Sequence, residues 1–308
     1  MSGLGASSRS VSKNFFDYMI YCAFLDPESI SAVDDNGGVG SDHLIGVMRN
    51  LLESCFLAET SSWTVGSQLS EVISKLPDQD TRTKLIALLE TFSKRDRFIN
   101  LIEDHAIEED FPLGIIAINQ SKDAGIDIVI TEVSPTVQTA NEVCSIKNYN
   151  RSNFENNRQR NFANGKEIAP GRYKYDELFR QCFGRMLQGG DDFKIEDYMI
   201  GKEFSANYYQ NLPFWCEFLK SADRNLNVTI ITQNSSPSII QSLRTRLNQL
   251  TENSNISFDV QTVLNPRHER FFRSTSFSLN IGRGIDLCDD NGMNRDICVR
   301  FAKASDIH

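Results

Sequence analysis

The stretch RHERFFRSTSFSLNIGRGID, residues 267–286, is the part of the chain that decides the fold. It is built like a β-hairpin that ends in a Gly-Arg-Gly turn. Residues two apart on a strand point to the same face, so we expect His268 and Arg270 to project together into one site. The stretch concentrates positive charge, because four arginines and one histidine face only two acidic residues, Glu269 and Asp286.

The glycine turn at the end of this stretch adds a second feature of an anion site. Gly282 and Gly284 allow the backbone to approach a ligand closely, and Arg283 lies between them. Guanidinium groups and exposed backbone N–H groups together form a cradle for phosphate oxygens. The sequence therefore predicts a phosphate-binding site made by His268, Arg270, Arg283, Gly282 and Gly284.

Upstream of the hairpin, from residue 173, the chain alternates between helix and strand patterns. Such alternation predicts a sheet covered by helices. Pro213 falls inside the second helix and is expected to kink or restart it. The predicted order is a helix (175–187), a strand (193–200), a helix (208–219), a strand (227–233), a helix (240–250), a strand (256–260), and three further strands (269–274, 277–281 and 297–302).

Residues 1–110 show apolar side chains at spacings of three and four, which predicts a small all-helical N-terminal domain. This segment also carries the acidity of the chain. It holds 9 of the 32 basic and 18 of the 41 acidic residues, so the formal net charge of −9 lies entirely within it. The electroneutral remainder is compatible with an anionic ligand.

Residues 111–171 are predicted to contain a strand pair (113–119 and 125–134) and a polar, Asn-rich linker or loop from 148 to 171. The loop combines positive charge with aromatic rings. That combination suits a nucleic-acid groove, although a solvated loop is the favoured interpretation. The residues concerned are Arg151, Phe154, Arg158, Arg160 and Phe162.

Several classes of protein are excluded by composition. The seven cysteines include no CxxC pair, so neither a disulfide framework nor a structural zinc site is expected, and no cofactor is predicted. The 308 residues contain no apolar run of 18 and begin with a polar segment. We therefore expect a cytoplasmic protein.

The quoted stretch resembles the phospholipase D superfamily, in which an HxK motif precedes a glycine turn. Here His268-Glu269-Arg270 takes the place of HxK, Thr275 the place of an aspartate, and GRGI (282–285) the place of the turn. It is more similar to the phospholipase D-like C-terminal domain of MIT-domain-containing proteins, through RHERFF (267–272), IGRGIDL (281–287), YKYDELF (173–179), KIEDYMI (194–200) and NVTIITQ (227–233).

The resemblance covers residues 172–308 and implies a phospholipase D-like mixed sheet covered by helices. It also implies a homodimer that binds an anionic phospholipid, which would place the protein peripherally at a membrane. A polyanion such as nucleic acid is the other candidate ligand. A protein partner, of unknown identity, is expected for the helical domain.

Two functional hypotheses remain open, and the sequence leaves open whether the protein is an enzyme. In the first, the site binds phosphate without catalysis, supported by Glu269, Asp197, Arg267 and Arg273. In the second, a homodimer is a metal-independent phosphodiesterase, a nuclease or phospholipase used as a defence effector. There His268 is the nucleophile, and Asp286, Glu269 and Asp197 are the candidates to replace the aspartate that is missing at Thr275.

A structural alternative stands beside both hypotheses. Arg270 and Arg283 would then pair with Asp286 and Glu269 in a buried network that binds nothing.

Overall fold

The chain folds into an α/β structure with two β-sheets, seen in a computed structural model that describes residues 18–35, 40–60, 64–103, 112–135, 142–200, 206–233, 236–265 and 268–302. Within these residues, one sheet is parallel and the other is mixed. The predicted α/β class is therefore confirmed.

The first sheet, called sheet A, has the strand order β3-β2-β1-β4-β5, and all its neighbouring strands are parallel. Its strands are β1 (Tyr21–Leu25), β2 (Cys55–Thr60), β3 (Phe98–Ile102), β4 (Ile128–Ile130) and β5 (Glu142–Cys144). The helices along this part of the chain are α1 (Pro27–Asp35), α2 (Ser41–Ser54), α3 (Val65–Ser74), α4 (Gln79–Lys94) and α5 (Leu113–Gln120).

The prediction of an all-helical N-terminal domain is wrong, because β1, β2 and β3 lie inside residues 1–110. Every residue of β1 is buried, and five of the six residues of β2 are. Strands buried on both faces read as continuous apolar runs without alternation, so a short one is indistinguishable from a buried helix by periodicity. Cys22 and Ala23, which fit a helical spacing, belong to β1.

Two predictions for residues 111–171 are also wrong. The apolar run 113–119 forms helix α5, which begins directly after Pro112, rather than a strand. The polar segment is not a loop, because it contains α6 (Asn153–Asn164), capped by the Ser152 hydroxyl, and strand β6 (Lys166–Ile168).

The cluster of arginines and phenylalanines in α6 is largely packed rather than solvated. Arg158 is buried and forms ion pairs with Glu155 and Glu53 at 2.7 and 3.0 Å. Phe154 packs edge-on against Tyr21. The segment is therefore not a solvated loop, and the buried Arg158 and Phe154 are not available to a nucleic-acid ligand.

The second sheet, sheet B, has the order β6-β12-β11-β10-β7-β8-β9. The helix and strand pattern predicted from residue 173 onward is confirmed, and α8 runs through Pro213 without restarting. The elements are α7 (Tyr175–Cys182), β7 (Asp192–Glu196), α8 (Ala206–Lys220), β8 (Leu226–Gln233), α9 (Pro237–Leu250), β9 (Ile256–Val263), β10 (Phe271–Ser274), β11 (Ser278–Ile281) and β12 (Ile297–Phe301).

The connections of sheet B create one position suited to a ligand. Strands β7, β8 and β9 are parallel, and the chain then returns to place β10 antiparallel against the other side of β7. In open α/β sheets, ligands bind beyond the carboxyl ends of strands where the strand order reverses in this way. That position is the carboxyl end of β7, beside the start of β10.

The two sheets share one buried core. Phe56 of β2 packs edge-on against Phe277, between β10 and β11, with ring centroids 4.9 Å apart. Asp127, just before β4, forms an ion pair with Arg185 at 2.8 Å. Among the helices of the described ranges, none is both long and apolar enough to cross a membrane.

Candidate functional site

The centre of the candidate site is Arg270, whose guanidinium is fixed at the carboxyl end of β7. Phe271 pairs with Glu196 across the two strands, which brings the adjoining Arg270 and Asp197 together. Arg270 Nε lies 3.4 Å from Asp197 Oδ1, while Nη1 donates to the Gly282 carbonyl at 2.8 Å. Nη2 donates to the Tyr198 hydroxyl at 3.3 Å. Its side chain is 18% exposed, so one edge of the guanidinium still reaches solvent.

His268 is exposed and stands against Tyr198. Its ring meets the Tyr198 ring edge-on with centroids 5.3 Å apart, and the Arg270 guanidinium carbon lies 5.0 Å from the centroid of the same ring. Tyr198 is therefore a common neighbour of the imidazole and the guanidinium. The alternation along a strand that the sequence predicted for His268 and Arg270 is not found, because β10 begins only at Phe271.

Asp197 is the buried carboxylate beneath the site. It is 1% exposed and accepts backbone hydrogen bonds from Met199 and Ile285, both at 3.0 Å. Burial raises the pKa of Asp197 to about 6, against the opposing effect of these hydrogen bonds and of Arg270. Its charge therefore depends on pH near neutrality, and with it the counter-charge that Arg270 sees.

The glycine turn packs against Asp197 rather than standing open. Gly284 has φ of +65°, and a Cβ at this position would collide with Asp197 Oδ2 and with the Arg270 side chain. Gly282 contributes its carbonyl to Arg270. The close backbone approach that the sequence predicted is thus made to the side chains that hold the site.

Asp286 and Arg283 lie at the edge of the candidate site. Asp286 Oδ1 lies 3.1 Å from Arg295 Nε and accepts from Asn211 Nδ2 at 3.3 Å, while Arg283 Nη1 is 3.8 Å from Asp286 Oδ2. The Arg283 side chain is 45% exposed, and its Nε donates to the Asp296 carbonyl. The structural alternative is therefore right about the pair Arg283–Asp286, whereas Arg270 pairs with Asp197.

Of the remaining predicted residues, Arg273 does not join the site. Arg273 points to the opposite face of sheet B, where its Nε lies 2.8 Å from Glu196 Oε1. Glu269 is exposed. Arg267 lies outside the described residues.

Sequence analysis missed two tyrosines. Tyr198 follows Asp197 in the segment KIEDYMI and gives no signal of its own. Tyr208, near the start of α8, is nearly buried, and its pKa is raised by burial and by the charges of Asp197 and Asp286. The distance of Tyr208 from Asp197 and Asp286 depends on how α8 packs over the sheet. No local sequence pattern encodes that packing.

The reversal point of sheet A, between β1 and β4, also carries a buried carboxylate, Asp26. Its Oδ2 accepts from the Thr131 hydroxyl at 2.6 Å, and its Oδ1 accepts from the Glu28 backbone at 3.1 Å. Gly114 packs directly against both side chains. This carboxylate is therefore used to hold the connection between β1 and β4.

Across the described part of the chain, no cluster of three or more metal-binding side chains occurs. No protein-family model and no curated protein matches the sequence. The candidate function accordingly rests on the geometry around Arg270 and His268.

Proposed function

We propose that residues 172–308 form a phospholipase D-like domain that binds a phosphate-bearing anion at His268 and Arg270. The observation that carries this proposal is an exposed imidazole and a fixed guanidinium that both contact Tyr198 at the reversal point of sheet B. A guanidinium held by neighbouring acceptors is preorganised for an oxyanion, since little conformational freedom is lost on binding. The pairing of the two motif strands, β10 with β11, is compatible with the phospholipase D-like fold.

Binding without hydrolysis is favoured by the surroundings of His268. A nucleophilic histidine needs an acceptor that orients its ring and stabilises its charge. Within the described residues, no carboxylate contacts His268, because Asp197 is engaged by two backbone N–H groups and Arg270. Asp286 is engaged by Arg295, Asn211 and Arg283.

The proposed ligand is a phospholipid headgroup or another polyanion, bound by a homodimer. A headgroup ligand would place the protein peripherally at a membrane facing the cytoplasm. The dimer is tested by light scattering of the full chain, where the mass of a single chain would contradict it.

The binding proposal is tested with one variant that leaves the Arg270–Asp197 pair untouched and one that keeps its charges. His268→Ala removes an exposed side chain, and Arg270→Lys retains the charge near Asp197 but loses the planar fork. Retention on phosphatidylcholine vesicles with and without a phosphoinositide, and binding of duplex DNA, separate the two ligand sources. We expect each variant to lose about tenfold or more in affinity, as for one charge-assisted hydrogen bond.

The matched control is Lys122→Ala, an exposed cation in the turn between α5 and β4. Equal binding by wild type, His268→Ala and Arg270→Lys would refute the assignment of the site. Hydrolysis of DNA or phospholipid in EDTA that disappears in His268→Ala would instead establish the phosphodiesterase alternative.

A further inference from the structure

A groove of about 950 Å³ lies between the two sheets, on the face of sheet B opposite to the His268 site. Lys194 and Arg273 pair across β7 and β10 and point into it, whereas Asp197 and Arg270 project to the other face. The wall contributed by the sheet A part of the chain includes Arg95 and Arg97, which follow α4. The groove is therefore separate from the site proposed above.

The deepest charge in this groove is Arg97, which is 3% exposed. Its guanidinium donates to the backbone carbonyls of Ser276, Leu52 and Cys55 and lies 3.4 Å from the centroid of the Phe277 ring. No carboxylate of the described residues is paired with it. Burial lowers the pKa of Arg97 to about 9, with Arg95 adding to the effect. This positive charge is left without a counter-ion, and it raises the electrostatic potential of the groove.

The carboxylates that line the groove are already engaged. Glu53 is 3.0 Å from Arg158, Glu196 is 2.8 Å from Arg273, and Asp192 accepts from the Asn227 side chain at 3.0 Å. By contrast, Arg95 and Lys194 are exposed, and neither is ion-paired within the described ranges. The Asn227 amide does not neutralise Asp192, but the three unpaired cations Arg95, Arg97 and Lys194 outnumber this one carboxylate, so the net charge available in the groove is positive.

Hydroxyl groups and aromatic rings complete the lining. Ser278 Oγ is buried in the wall and has no hydrogen-bond partner among the described residues, so it is a donor without an acceptor. Phe162 and Phe301 are partly exposed at one side, with ring centroids 5.2 Å apart. Cations and a hydroxyl donor suit phosphate oxygens, while open aromatic faces suit a planar base.

We propose that this groove binds a nucleotide unit, with its phosphate toward Arg95, Lys194 and Ser278 and its base on the rings of Phe162 and Phe301. The unit belongs either to a free nucleotide or to a single strand of nucleic acid. Both sources present the same phosphate and base.

The experiment measures fluorescence anisotropy of the full chain with a labelled single-stranded oligonucleotide and with a labelled nucleoside triphosphate, over a series of salt concentrations. In Arg95→Ala/Lys194→Ala we expect affinity to fall about tenfold or more, because two phosphate contacts are lost. For the oligonucleotide, the slope of log affinity against log salt should become shallower by about 1.4, since each contact to a single strand contributes about 0.7. The control Lys122→Ala/Lys147→Ala removes the same charge from two exposed positions outside the groove and should bind as wild type does.

A second variant tests whether the nucleotide base stacks on the aromatic rings, rather than whether the cations bind the phosphate. Phe162→Leu keeps an apolar side chain but removes the stacking ring, so it should weaken nucleotide binding several-fold and leave binding of inorganic tripolyphosphate unchanged. The proposal is overturned if wild type binds neither probe at low salt, if the two double variants behave alike, or if Phe162→Leu changes nothing. Repeating the series in the His268→Ala background, which removes the other proposed anion site, should leave the differences between these variants unchanged, and this separates the groove from the proposed function.

Discussion

Gly284 is a residue at which two separate costs of adding a methyl group can be measured. Its φ of +65° disfavours any side chain, and a Cβ there would also collide with Asp197 and Arg270. Gly171 has φ of +73° but open space around its Cβ position, so it isolates the conformational cost.

We expect Gly171→Ala to lower the free energy of unfolding by about 1 kcal/mol and Gly284→Ala to lower it by about 2–4 kcal/mol. Urea denaturation measures both. The loss for Gly284→Ala should come with weaker anion binding, because Asp197 and Arg270 must move. Equal losses at the two glycines would contradict the contact.

Asp197 makes a pH-dependent contribution to stability. Burial raises its pKa from 3.8 to about 6, so the folded state binds a proton more tightly than the unfolded state does. The associated stability is complete below pH 3.8 and is lost as pH rises through about 6. The loss is about 3 kcal/mol at 1.36 kcal/mol per pKa unit.

In Asp197→Asn the pH-dependent part of the free energy of unfolding that comes from Asp197 is absent. Subtracting the unfolding free energies of the variant from those of wild type between pH 4 and pH 7 should therefore leave a difference that falls by about 2.4 kcal/mol, which is most of the full loss. A constant difference would show that Asp197 is ionised at the same pH in both states.

The stability of the packing around helix α6 depends on one buried ion pair. Arg158 and Glu155 are 2% and 0% exposed and lie 2.7 Å apart, with Glu53 of α2 beside them. Arg158→Ala leaves a buried carboxylate without its partner, which should cost about 3–5 kcal/mol. Arg160→Ala, on the exposed side of the same helix, is the control and should unfold at the wild-type urea concentration.

A variant that replaces both members of the pair, Arg158→Met/Glu155→Leu, should recover most of the lost stability, since no charge is left buried alone. If it is as unstable as Arg158→Ala, the loss comes from packing rather than from the unpaired carboxylate.

The same elements show what could be predicted from the sequence. In sheet B, alternating strands such as β8 and helices bounded by polar residues carried enough periodicity to be assigned, whereas His268 and Arg270 precede β10 and do not alternate on a strand. In sheet A, β1 and β2 are buried on both faces. Their sequences therefore do not alternate between polar and apolar residues, and the pattern that identifies a strand is missing. Helix α6 was missed because its buried side chains include Arg158 and Glu155, which a polarity pattern assigns to the surface. The partnership of Asp197 with Arg270 depends on strand register, which lies beyond local pattern.

At the scale of the whole molecule, the packing between the sheets predicts that they unfold together. One continuous core includes residues of both, and Phe277 joins them through Phe56 and the Arg97 guanidinium. Buried free cysteines report on each sheet, since Cys22 and Cys55 lie in sheet A while Cys182 and Cys216 lie in helices of the sheet B part.

Pulse labelling of thiols across a urea series, read peptide by peptide, should therefore give one midpoint for all four cysteines. Phe277→Ala should remove about 3–5 kcal/mol and lower that shared midpoint, because the cavity it leaves weakens the contact that both sheets need. Separate midpoints for the two pairs of cysteines, or a shift confined to Cys182 and Cys216, would mean that the sheets are independent folding units. In that case the groove between them would open before either sheet unfolds, and nucleotide binding would be lost at a lower urea concentration than the labelling of Cys22.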